Sequence, residues 1–134
     1  AKIADANDVR KDVIFCGFRQ DVPGVLQQAD LLILPSLREG FGLVLLEAMS
    51  AHCPIVASDT GAISEVVLDG GTGTLVPPAD PDSLSEAITA ILSNPDLSTK
   101  FVKSGYQRLL QEFSIDRMVA ETDSLYKNIL LKHK

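Results

Sequence analysis

Two glutamates frame the stretch PSLREGFGLVLLEAMS, Pro35 to Ser50. Glu39 precedes Gly40-Phe41-Gly42, and Glu47 follows after seven intervening residues inside an apolar run with Leu45, Leu46, Ala48 and Met49. Gly40 and Gly42 permit close backbone approach and positive φ. The N–H groups of Gly40, Phe41, Gly42 and Leu43 would then stand at a helix N-terminus. There the first donors lack intrahelical partners and the dipole favours negative charge. Such a cradle suits a phosphate; tight loops also use Gly-x-Gly for packing alone. A carboxylate at Glu47 must face water, a partner or a ligand. It either lies on a solvated helix face or accepts hydrogen bonds from ligand hydroxyls, as an acidic residue does for ribose in dinucleotide folds.

The elements that would position these residues follow from the apolar pattern. VIFCGF (Val13–Phe18), LLILP (Leu31–Pro35), PIVAS (Pro54–Ser58) and GTLVPP read as short strands, each a continuous apolar run. Between them lie helical segments: DVPGVLQQAD with Asp21 as N-cap, GLVLLEAMSAH, and a turn or two within DTGAISEVV. Three longer helices complete the chain. Asp80 caps the first with Pro81 at its first position, the second starts at Pro95, and Ser114 caps the last. Strands alternating with helices predict an α/β fold with a Rossmann-like parallel sheet and helices on both faces. The ligand-binding loops of such sheets lie at the C-terminal strand ends, where PSLREGFG falls.

Bulk properties narrow the function classes. The 134 residues are 46% hydrophobic and 22% charged, ordinary for a soluble domain or part of one. A net charge of −6 without a basic cluster before the last residues argues against nucleic-acid or anionic-membrane surfaces. Cys16 and Cys53 read as small buried hydrophobes, and no zinc-type spacing is present. No apolar run approaches a membrane span of ~18 residues, and AKIADANDVRKD is not a signal peptide.

Glu39 and Glu47 within PSLREGFGLVLLEAM, followed by PIVASDTGAISEVV and GTGTLVPPADPDSL, resemble the C-terminal domain of retaining GT-B glycosyltransferases of the glycogen-synthase and sucrose-phosphate-synthase type (group 1 glycosyltransferases). The likeness runs from about Val13 to Tyr126. It implies that Glu39 sits by the donor sugar near the anomeric centre, as the catalytic carboxylate. It implies that Gly40, Phe41, Gly42 and Leu43 touch sugar and diphosphate, and that Glu47 binds ribose hydroxyls. Gly17, Phe18 and Arg19 match the loop lining the nucleobase, where Arg19 would stack on the base.

The resemblance thus implies one partial C-terminal nucleotide-sugar-binding domain over 1–134, inactive alone, whose parent transfers a sugar from a nucleotide-diphosphate sugar to an acceptor. The implied partners are the nucleotide-sugar donor and the absent N-terminal acceptor domain, not nucleic acid. No cofactor and no metal are expected. The parent is expected in the cytoplasm, at most peripheral at the inner membrane face. The Arg/Lys pair that neutralises the donor diphosphate lies in the absent first half of the domain. So do the two strands that would separate VIFC from LLIL; either VIFC pairs directly with LLIL or another chain fills the gap, which predicts a homo-oligomer through the exposed strand. The alternatives are a nucleotide or nucleotide-sugar binding module without transferase activity, and a fragment of a GT-B epimerase. A phosphorylase would need a pyridoxal-anchoring lysine, and no lysine lies between Lys11 and Lys100.

Overall fold

A computed structural model describes residues 2–132. Its elements are α1 (Lys2–Ala6), a 3-10 turn (Arg10–Asp12), α2 (Val22–Leu26), β1 (Leu32–Leu34), α3 (Leu43–Ser50), β2 (Ile55–Ser58), α4 (Ile63–Val66), β3 (Thr74–Val76), α5 (Pro81–Leu92), α6 (Pro95–Glu112) and α7 (Ile115–Lys132). The strands form one parallel sheet in the order β1-β2-β3, with Ile33 opposite Val56 and Ala57 opposite Leu75.

The two-residue period of β2 divides the interior. All four residues of β2 are buried. Ile55 and Ala57 face one core, shared with Leu26 of α2, Leu45, Ala48 and Met49 of α3, and Ile63 and Val66 of α4. Val56 faces the other, with Val76, Ala87 and Ile91 of α5, and Phe101 of α6. A strand buried on both faces must be apolar throughout, which is why PIVAS shows no polar alternation. Helices therefore cover both faces, as expected. The helix starts also follow the local sequence. The Asp80 carboxylate accepts from Ser83 N–H (3.1 Å) and Ser83 Oγ (2.7 Å). Asn94 Oδ1 accepts from Leu97 N–H (3.0 Å), and Ser114 Oγ from Arg117 N–H (3.3 Å).

Three expectations need correction. Val13–Gly17 is not a strand. Ile14 is 85% exposed and Phe18 92%; a strand is made by its neighbour, and no described strand lies beside this segment. Cys16 is exposed, whereas Cys53 is buried, and burial pushes the Cys53 thiol pKa up. Asp21 does not cap α2 with its side chain; its carboxylate pairs with Arg19 instead.

The last helix, α7, keeps much of its apolar stripe in the open. Ile115, Met118, Val119, Leu125, Tyr126 and Leu130 are each more than half exposed. Its first turn is tied back by Arg117, which reaches Glu112 (2.5 Å) and the Gln111 carbonyl (3.0 Å) on the end of α6.

Candidate functional site

The β1–α3 loop carries Glu39 out from the C-terminal end of β1 and delivers the chain to the start of α3. Glu39 is half-buried. Its carboxylate accepts from Ser36 Oγ (3.2 Å) and from the Gly40 N–H (3.1 Å). Both bonds are local, so the carboxylate is held close to its own loop.

The β2–α4 loop braces this loop from the side. Thr60 Oγ1 donates to the Leu37 carbonyl (3.3 Å). Gly61, at φ +58°, lies so close that a Cβ there would sit 2.1 Å from the Glu39 carbonyl oxygen. Gly42 occupies the left-handed region (φ 75°, ψ 57°) as the N-cap of α3. Its carbonyl accepts from the Leu45 N–H (2.9 Å). A side chain here would be strained, and its Cβ would meet Leu45 Cδ1 at 3.0 Å.

The expected row of anion-binding donors is shorter than the sequence suggests. Gly40 does not adopt positive φ, and its N–H is already taken by Glu39. The N–H groups of Phe41, Gly42 and Leu43 make no hydrogen bond to any described group. These are the donors that remain at the positive end of α3.

Glu47 is exposed and pairs with no described side chain. It lies one helical turn beyond Leu43, which places it on the same side of α3. With Gln27, Leu46, Ser50 and Phe113 it lines a cleft of about 340 Å³. An adjoining groove of about 480 Å³ shares Leu46 and Phe113 and adds Phe41, Leu43, Glu112 and Met118. Phe41 and Phe113 meet edge to face, 6.1 Å between centroids. Arg108 lies over Phe113 at 5.4 Å and donates to the Val66 (2.9 Å) and Glu65 (2.8 Å) carbonyls. The Arg108 guanidinium is therefore spent on anchoring α6 to α4.

The third expected group lies apart. Gly17 has φ +62° and Phe18 is almost wholly exposed. Arg19 forks onto Asp21, with Nε 2.8 Å from Oδ1. This pairing raises the Arg19 pKa and lowers that of Asp21. Arg19 lines a separate cleft of about 450 Å³ with Asp21, Gly24 and Gln28. The structure thus joins Glu39, Gly40–Leu43 and Glu47 along one loop and helix, and leaves Arg19 at a different cleft, which Gly17 and Phe18 do not line.

Among the described residues no cluster of three or more potential metal ligands occurs. The expectation of no metal rested on the lack of an Asp-x-Asp element, but Asp80-Pro81-Asp82 has that spacing. The Asp80 carboxylate is engaged as the cap of α5, and its bond with Ser83 holds its pKa below the ordinary carboxylate range. Sequence reasoning missed Ser36, Gly61 and Phe113, and read Thr60 as a turn residue. Gly61 follows a turn-forming Asp-Thr, a weak signal; Phe113 meets Phe41 only through tertiary packing.

A parallel sheet with helices on both faces, and a glycine-containing strand-to-helix loop flanked by carboxylates, defines a Rossmann-like ligand-binding domain. The chain belongs to the family described as glycosyl transferases group 1, whose model matches residues 1–108. It is 30% identical over 137 aligned residues to a lipopolysaccharide core biosynthesis mannosyltransferase of Rhizobium leguminosarum, covering 96% of this chain and 39% of that protein. It superposes on a sucrose-phosphate synthase from Thermosynechococcus elongatus with TM-score 0.87 and 29% identity, over 98% of this chain and 33% of the other. Anabaena HepE, solved with UDP and with UDP-glucose, gives TM-score 0.85 and 28% identity over 92% of this chain and 35% of that one. The chain therefore spans about a third of the length of these relatives. The likeness identifies the fold as that of the GT-B glycosyltransferases.

Proposed function

We propose that this chain is the donor-binding part of a retaining glycosyltransferase, whose parent transfers a sugar from a nucleotide-diphosphate sugar to an acceptor. The observation that carries this is the β1–α3 unit. A braced glutamate, free N–H donors at a helix start and an unpaired glutamate one turn inside follow one another at the C-terminal end of a parallel strand. Membership of the family and the UDP-glucose complex of a structural neighbour support the reading.

Each part has a chemical task. The Phe41–Leu43 N–H groups and the α3 dipole face the diphosphate and favour the charge that develops as it leaves. Glu47 accepts hydrogen bonds from the ribose hydroxyls. Glu39 lies at the sugar end, orienting the ring through its hydroxyls and countering positive charge at the anomeric carbon. The remaining cations for the diphosphate come from the rest of the parent, and neither a metal nor another cofactor is part of the proposal. The parent works in the cytoplasm, at the inner membrane face where its acceptor is lipid-linked. No described helix is long and apolar enough to cross a membrane.

Calorimetric titration with UDP, GDP, ADP and their sugar conjugates tests the reading. One nucleotide family should bind saturably, and Glu47→Ala should weaken it roughly ten- to a hundredfold, the worth of hydrogen bonds to a charged group. Equal binding by the variant would remove Glu47 from the site. Equal affinity for a nucleotide and its sugar conjugate, with no transfer by the parent, would favour a plain nucleotide-binding module.

A further inference from the structure

We infer that Gly61 and Thr60 are positioning residues for Glu39, and that they set how well the site holds the sugar as distinct from the nucleotide. The inference rests on the proposed role of Glu39 as the sugar-side carboxylate. Two independent contacts carry it. The Gly61 α-carbon faces the Glu39 main-chain carbonyl so closely that a Cβ would lie 2.1 Å from the oxygen and 3.2 Å from the carbonyl carbon. Both are backbone atoms, so no side-chain rotation relieves the clash. Gly61 also stands at φ +58°, where any L side chain is strained. One residue earlier, Thr60 Oγ1 donates to the Leu37 carbonyl (3.3 Å), two residues upstream of Glu39.

These contacts complete what the loop cannot do alone. Ser36 and the Gly40 N–H orient the Glu39 carboxylate within its loop, but neither fixes the loop against the sheet. Thr60 and Gly61 do so from the next strand's loop. Their own loop is anchored by the Asp59 N–H to the Val76 carbonyl (2.8 Å) and by Ile63, which is fully buried. The sugar-side glutamate is thus referenced to β2 and β3. Glu47, on α3, is referenced to the helix. Disturbing the Thr60–Gly61 loop should therefore move one end of the donor site and spare the other.

The variants are Gly61→Ala, Thr60→Val and Thr60→Ser, tested on this chain by backbone amide NMR and by titration with UDP and UDP-glucose. Without ligand, Gly61→Ala should displace the Glu39 and Gly40 amide resonances and leave those of Ala48 and Ile91 in place. With ligand, UDP-glucose affinity should fall about tenfold while UDP affinity changes less than about twofold. Thr60→Val should act in the same direction and Thr60→Ser should restore the parent behaviour, because the hydroxyl is retained. Unmoved Glu39 and Gly40 resonances in Gly61→Ala would overturn the inference. So would equal weakening of both probes, which marks general destabilisation. If the unsubstituted chain binds neither probe, the donor-site reading fails separately, and the ligand-free amide shifts still decide whether the brace exists.

Discussion

Glu47 and Asp80 are both acidic residues associated with a helix, and their surroundings give them opposite work. Asp80 is satisfied: its carboxylate takes the Ser83 N–H and hydroxyl, and its pKa is lowered by those bonds. A carboxylate with a depressed folded-state pKa contributes stability above its unfolded value and loses it as pH falls through the folded value. Asp80→Ala should therefore lower the thermal midpoint at neutral pH. The gap from the parent chain should close as pH drops through and below the ordinary carboxylate range, as followed by circular dichroism melts. A gap independent of pH would mean that the charge of the cap contributes nothing. Glu47 has no described partner. Its substitution should leave stability nearly unchanged and fall on ligand affinity instead. The sequence made both residues legible, Asp80 by its Pro81 neighbour and Glu47 by its apolar flanks. It did not reveal Gly61, because only the folded chain brings Gly61 against the Glu39 carbonyl.

At the scale of elements, continuous apolar runs were informative where a strand has neighbours on both sides. PIVAS became the central strand because both of its faces are covered and both of its edges are paired. VIFC is as apolar a run and is no strand, since ladder bonds come from a partner that composition cannot supply. The helix caps were read correctly wherever the capping side chain had no competitor. Asp21 failed as a cap because Arg19, two residues away, offers a charge-assisted pair. The last helix shows the limit of periodicity: its apolar stripe was legible, but the stripe stays exposed here. Burial rather than pattern stabilises a helix, so removal of residues 115–134 should lower the melting temperature by only a few degrees at most. By contrast Leu45→Ala, at a fully buried core position, should cost about 2–5 kcal/mol. Denaturant melts of the two variants compare them directly; a larger loss from the truncation would show that α7 holds the core.

For the whole molecule, β1 presents one unpaired edge, and apolar residues of the 13–18 segment stand exposed beside no strand. Such an edge is open to pairing with a second copy of the chain. Size-exclusion chromatography with light scattering should show a dimer at high concentration, and a persistent monomer would remove the second copy from this picture. The fold class and the place of PSLREGFG between β1 and α3 were readable in the sequence because they depend on local apolar runs and glycines. The separation of Gly17–Arg19 from the glutamate-bearing helix was not, because it depends on where an unpaired segment comes to rest.

The most direct test is a backbone amide NMR map of this chain with UDP-glucose. Saturable shifts at Phe41, Gly42, Leu43 and Glu47, with Glu39 and Gly40 responding to UDP-glucose but not to UDP, are the expected result. Saturable shifts confined to other surfaces, or none at millimolar ligand with the fold intact, would contradict the assignment of the β1–α3 unit as the donor site.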